Sequence, residues 1–123
     1  MDDTDFSKLI PDCLVAPFRE CHVNVVLGNY GTASVLCGAI LERALKDLLN
    51  STGSFFQLIE EAEDDGLLRG DNIRHAQAIY KVRSNAVHGK RDFRSISSVK
   101  AWECLDMTRK LVSDLYRGRL EGE

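Results

Sequence analysis

The chain is expected to fold as an all-α protein, a bundle of four or five helices. Three observations predict this. Apolar residues recur every three to four positions along several long stretches. No stretch shows the strict alternation of a half-buried strand. The breaks between stretches are short clusters of Gly, Asn, Ser and Asp, the length that helix–helix connections need. With 123 residues, 44% of them hydrophobic, one core and one domain over 1–123 are expected, with loose termini at 1–8 and 118–123.

The elements follow in order. Residues 1–8 read as a polar leader, Met1-Asp2-Asp3-Thr4-Asp5 being acidic and without the apolar run of a signal peptide. From about Pro11 to Leu27, Leu14, Phe18, Cys21 and Val25 have helical spacing; Pro17 predicts either a later start or a kink. Gly28-Asn29-Tyr30-Gly31 reads as a turn. The strongest pattern follows over about 30–50, where Ala33, Leu36, Cys37, Ile40, Leu41, Ala44, Leu45, Leu48 and Leu49 form a broad stripe. Glu42/Lys46 and Arg43/Asp47 are opposite charges four apart on the other side. The small residues Gly31, Ala33, Gly38 and Ala39 would admit a close neighbour.

Ser54-Phe55-Phe56-Gln57 has the spacing of a capping box and opens a short helix over about 55–64, expected to fray near Gly66 because acidic residues crowd its C-terminal end. Gly70-Asp71-Asn72 can start a helix over about 72–88 that Gly89 stops. Ser95, Ser97 or Ser98 caps the last helix, which runs to about Tyr116 with Val99, Trp102, Leu105, Val112 and Leu115 inward. Trp102 is read as core, and His22 and His75 as helix-surface residues.

Composition narrows the functional classes. No apolar run reaches the ~18 residues of a membrane span, and a cytoplasmic protein is expected. Cys13, Cys21, Cys37 and Cys104 form no C-x-x-C pair and read as reduced core residues, with no metal site and no cofactor expected. Charge is unevenly spread. Residues 1–68 hold 4 Lys/Arg against 12 Asp/Glu, whereas residues 69–119 hold 12 against 5. A local polyanion-binding surface is therefore compatible with the overall charge of −3.

The basic half contains Arg83-Ser84-Asn85-Ala86-Val87-His88 near the end of a predicted helix. Arg83 and His88 are offset by ~7.5 Å of rise and ~140° of rotation. They reach one phosphate only through the length of the arginine, the helix ending at His88, or a second copy of the helix. Asn85 shares a face with His88 and could orient its imidazole or bind a phosphate oxygen. A guanidinium and an imidazole suffice for metal-free RNA cleavage. The imidazole moves protons at the 2′-hydroxyl or the leaving 5′-oxygen. The guanidinium binds the charge that builds on phosphorus. Lys90, Arg91 and Arg94 are candidate phosphate contacts beside the motif. In the bland alternative, Arg83 pairs with an acidic residue of another helix and His88 favours the helix C-terminus.

Three stretches carry a family resemblance: Gly28-Asn29-Tyr30 leading into Ala33, Ile40-Leu41-Glu42-Arg43-Ala44-Leu45-Lys46, and Val82 through Gly89. With them the chain from about 12 to 117 resembles the HEPN superfamily, whose members carry an R-x4-6-H motif late in a small helical bundle. It is similar to a bacterial branch that also occurs fused to type I restriction subunits. The resemblance implies a homodimeric, metal-independent endoribonuclease of a toxin–antitoxin or phage-defence type system. Its composite site at the dimer interface would use Arg83 and His88, with RNA as substrate and an antitoxin or restriction/defence protein as possible partner. It equally admits a non-catalytic dimerisation module that binds RNA, nucleotides or protein. Ser84 stands where active members often have Asn, Asp or His, the polar residue coming one later as Asn85. Lys90 stands where members paired with a nucleotidyltransferase antitoxin carry Tyr, so tyrosine-directed nucleotidylation is not expected. An Arg83 beside His88 in a basic cleft would favour the enzyme; an Arg83 locked to a buried carboxylate would favour the module.

Overall fold

The computed structural model describes residues 3–87 and 96–122, with side chains from 6 to 85 and from 96 to 119. The described residues form six helices: α1 (Asp3–Leu9), α2 (Asp12–Val26), α3 (Tyr30–Leu49), α4 (Phe55–Asp64), α5 (Asp71–Val87) and α6 (Ser98–Gly122). The all-α bundle expected from the periodicity is what is seen, with one helix more than the four or five predicted. The additional helix is α1, where a loose leader was expected. Seven residues are too few to show a period or to hold a helix alone. α1 persists because it is docked: Phe6 and Ile10 are buried, and the Phe6 ring meets Phe18 edge-on at 4.9 Å. At the other end α6 runs on to Gly122 instead of loosening at 118, and Arg119 reaches Asp47 of α3 at 3.4 Å.

α3 is the hub, packing against α2, α4, α5 and α6. Ala33, Ser34, Cys37, Gly38, Ile40, Leu41, Ala44 and Leu45 are all buried, a band too wide for a single neighbour. Its ends are set locally. Gly28 takes a left-handed conformation (φ +86°) that ends α2 and turns the chain into α3. Asn50 takes the same region (φ 50°) after Leu49, and its N–H bonds the Lys46 carbonyl. Pro17 lies inside α2, which neither starts there nor stops; the proline removes one intrahelical donor.

The predicted capping box is present: Ser54 N donates to Gln57 Oε1 (3.0 Å) and Gln57 N to Ser54 Oγ (3.2 Å). Gly66 (φ +77°) closes α4, and the Ala62 carbonyl accepts from both Leu67 and Leu68 N–H. Of the three candidate serines for α6, Ser97 caps: its Oγ accepts from Lys100 N at 3.1 Å. Gly89, the expected stop of α5, lies outside the described residues.

The buried stripe of α6 contains the predicted Leu105, Val112 and Leu115 but not Val99 or Trp102. Ala101, Cys104, Leu105, Thr108, Leu111, Val112, Leu115 and Tyr116 face inward, while Val99 (67% exposed) and Trp102 (38%) do not. Trp102 lies against His22 of α2, ring centroids 5.5 Å apart. Beyond Val99 and Trp102 that face continues with Glu103, Asp106 and Lys110, which are exposed. The phase is fixed by α3, whose Cys37 and Asp47 meet Cys104 and Tyr116.

Three of the four cysteines are core residues as expected; Cys13 is exposed. Cys21 and Cys37 Sγ are 3.6 Å apart, and Cys21 donates to the Ala33 carbonyl at 3.3 Å. The hydrogen bond from Cys104 lowers the Cys37 thiol, but that with Cys21 together with burial outweighs it and pushes Cys37 up to about 12. Cys104 is raised by its bond to Cys37 and by burial, and the Tyr116 phenol is raised by burial and by its bond to the Asp47 carboxylate.

Three outcomes follow from this packing. An alkylating reagent should modify one thiol of the native protein, Cys13, and four after denaturation, read by mass spectrometry. Stability should fall as pH rises above about 9: unfolded thiols then lose protons that the native core retains, a slope approaching ~1.4 kcal/mol per pH unit for each such thiol. Urea melts between pH 7 and 10 should show this decline, shallower in Cys37→Ala. Gly38→Ala should destabilise by about 1–3 kcal/mol in the same melts. Its added Cβ would fall 2.6 Å from the Cβ and Cγ of Arg83 on α5, so truncating Arg83 to alanine should not relieve it fully.

Candidate functional site

α5 presents Ala76 and Ile79 to the core, both fully buried. One turn further along the same face the apolar series ends and Arg83 takes the next place. Its position depends on three neighbours. The stem lies across α3 at Gly38, where the α3 surface has no Cβ to hold it off. The guanidinium then reaches Glu42, one turn further along α3, and Nη1 donates to Oε1 at 2.7 Å. Its Cζ lies 5.3 Å from the centroid of the Phe55 ring, a cation–π contact.

Each neighbour is fixed in turn. Phe55 is the first residue of α4, and the Ser54/Gln57 capping box sets where that helix begins. Tyr80 of α5 packs edge-on against Phe55 at 5.4 Å and tilted against Phe56 at 5.9 Å. The other carboxylate oxygen of Glu42 lies 3.6 Å from Lys46 Nζ, so the predicted i,i+4 pair forms beside the longer-range one. The other predicted pair gives way: Asp47 accepts from the Tyr116 hydroxyl (2.8 Å) and from Arg119.

The arginine is therefore a positioned charge. Its side chain is 28% exposed and that of Glu42 19%, so the pair is partly removed from water, and removing one partner would leave the other poorly solvated. A guanidinium has five N–H donors, and the Glu42 contact engages only one nitrogen. Arg83, Glu42 and Lys46 together carry one net positive charge, so the group can still receive an anion.

Of the predicted site residues, Arg83 is placed and Asn85 lies half-buried on α5 two positions later. His88, Lys90, Arg91 and Arg94 lie outside the described residues, as does any meeting of Arg83 with His88. Glu42, Phe55 and Gly38 complete the arginine's surroundings and were not recognised as such from sequence. The available signal was Glu42 itself, a carboxylate between the buried Leu41 and Leu45 at the edge of the α3 stripe. Among the described residues, no three His, Cys, Asp or Glu side chains converge as a metal site would require.

The end of the bundle from which α5 leads towards His88 has a distinct surface. α2 and α5 run opposite to α3, with Cys21 beside Cys37 and Arg83 beside Gly38, while α6 runs with it. The C-terminal ends of α2 and α5 therefore meet the N-terminal ends of α3 and α6. Val23, Val26, Leu27, Val99 and Trp102, five of the six large apolar side chains exposed among the described residues, belong to that end; only Phe56 lies elsewhere.

No helix among the described residues is long and apolar enough to cross a membrane. No curated protein and no solved structure matches the chain. One family profile does, that of the domain of unknown function DUF4145, over residues 19–122. That span runs from α2 to the end of α6 and includes Gly38, Glu42, Phe55, Arg83 and His88, so the chain belongs to the DUF4145 family.

Proposed function

We propose that this DUF4145 protein is a HEPN-like, metal-independent endoribonuclease. It acts in the cytoplasm as a homodimer, in a toxin–antitoxin or phage-defence type system. The observation that carries the reading is the setting of Arg83. A long, flexible cation is held by a glycine-floored groove, an aromatic ring and a carboxylate, five residues before the histidine of the motif. Preorganised positive charge is what a phosphorane-like transition state needs, because no reorganisation is then required when charge develops.

In this mechanism the guanidinium binds the non-bridging oxygens of the scissile phosphate. An imidazole of His88 takes the proton of the ribose 2′-hydroxyl, the 2′-oxygen attacks phosphorus, and the P–O5′ bond breaks as the 5′-oxygen takes a proton from the imidazolium of His88 in the second copy. The products are a 2′,3′-cyclic phosphate and a 5′-hydroxyl. The ~140° between positions 83 and 88 on one helix favours a site shared by two copies. The apolar side chains at the same end of the bundle give a second copy a surface to meet. Asn85, Lys90, Arg91 and Arg94 serve as further contacts to the RNA, and an antitoxin or restriction/defence protein would be the natural partner.

A second reading is favoured by the Arg83–Glu42 pair itself. A guanidinium committed to a partly buried carboxylate is also what a structural arginine looks like, and a non-catalytic module binding RNA, nucleotide or protein would retain it.

The two separate in one experiment. Purified protein is incubated with end-labelled single-stranded RNA in EDTA, alongside Arg83→Ala and His88→Ala. The enzyme reading expects cleavage to cyclic-phosphate ends and a loss of about 10²- to 10⁴-fold in each variant. The binding reading expects saturable binding without turnover, with Arg83→Ala weakening affinity and reducing the salt slope by about 1. Equal cleavage by native protein and His88→Ala would remove the catalytic assignment.

A further inference from the structure

Away from Arg83, a cleft of about 200 Å³ opens between α1, α2 and α6. Its floor is apolar: Phe6 and Ile10 from α1 and the segment after it, Val15 and Phe18 from α2, and Leu105 from α6. Phe6 and Phe18 meet edge-to-face, with ring planes at 83°. The rim is polar. It carries Arg19 and His22 from α2 and Arg109 from α6, with Ser7, and no carboxylate among the described lining residues. Arg109 spreads its guanidinium over the Phe6 ring, Cζ 5.1 Å from the centroid. His22 leans on Trp102 and continues the aromatic wall outward.

We propose that this cleft binds a small amphipathic anion, a single ring or short alkyl chain bearing a carboxylate. Size sets the class, since an apolar cavity of ~150 Å³ holds one benzene and drug-sized ligands occupy ~300 Å³ or more. A nucleotide base with its ribose and phosphate does not fit. The apolar floor takes the tail, and the guanidinium of Arg19, exposed at the rim, selects the head group. This assignment is independent of RNA cleavage.

The test is a titration of the isotopically labelled full chain with octanoate, octan-1-ol and octylamine, followed by amide chemical shifts. Octanoate should shift amides of α1, α2 and α6 saturably, and bind at least about 10-fold more tightly than octylamine. Shortening the acid to hexanoate should weaken binding about 3- to 4-fold per methylene removed. Arg19→Gln, a change at an exposed position, should weaken octanoate about 10-fold and leave octan-1-ol unchanged. Equal binding of octanoate and octylamine, an unaffected Arg19→Gln, or shifts that fail to saturate or map to another face would each overturn the proposal.

Discussion

The close approach of α5 to α3 at Gly38 is the constraint on which the rest of the arrangement depends. Helix axes are normally kept apart by the side chains between them. At Gly38 nothing intervenes but hydrogen, and the aliphatic stem of Arg83 fills the space directly. Without that contact the guanidinium would not be carried to Glu42, because the stem would have to arch over a Cβ. A backbone detail of one helix thus decides where a charge on another is placed.

The charge then ties three helices together. Arg83 belongs to α5, Glu42 to α3 and Phe55 to α4, and the ion pair and the ring contact meet on one guanidinium. Partial burial makes the pair a liability, since removing either partner would leave the other poorly solvated. α4 takes part only because its capping box places Phe55 at the first helical position, so a local hydrogen-bond motif at Ser54 is coupled to the candidate site. Beneath this, a compact thiol cluster from α2, α3 and α6 fills the centre with small, polarisable groups, of which the Cys37 and Cys104 thiols are raised.

The distribution of apolar and charged side chains over the surface follows from the same topology. With α2 and α5 opposed to α3 and α6, one end of the bundle collects exposed apolar side chains and the approach to the R-x4-H motif. The flank formed by α1, α2 and α6 carries a polar rim over an apolar floor. The two surfaces meet at His22, which lines the cleft and touches Trp102.

The sequence by itself determined what depends on neighbours along the chain. The period of Ala33 to Leu45 makes α3 a wide-faced helix, Ser54 and Gln57 cap α4, Gly28 turns the chain, and Arg83 lies late in α5 before His88. These are short-range matters of dihedral preference, hydrogen bonding and spacing, and they were legible. What lies across the bundle was not. Glu42 read as half of a local pair, because a one-dimensional pattern cannot show that Arg83, 41 positions later, completes it. α1 was invisible because seven residues carry no period and fold only against Phe18. Trp102 reads as core because it is large and apolar, yet it lies at the edge of the buried face of α6. Only the packing partners decide how far such an edge residue is covered, since burial is a property of the assembled helices and not of any one of them.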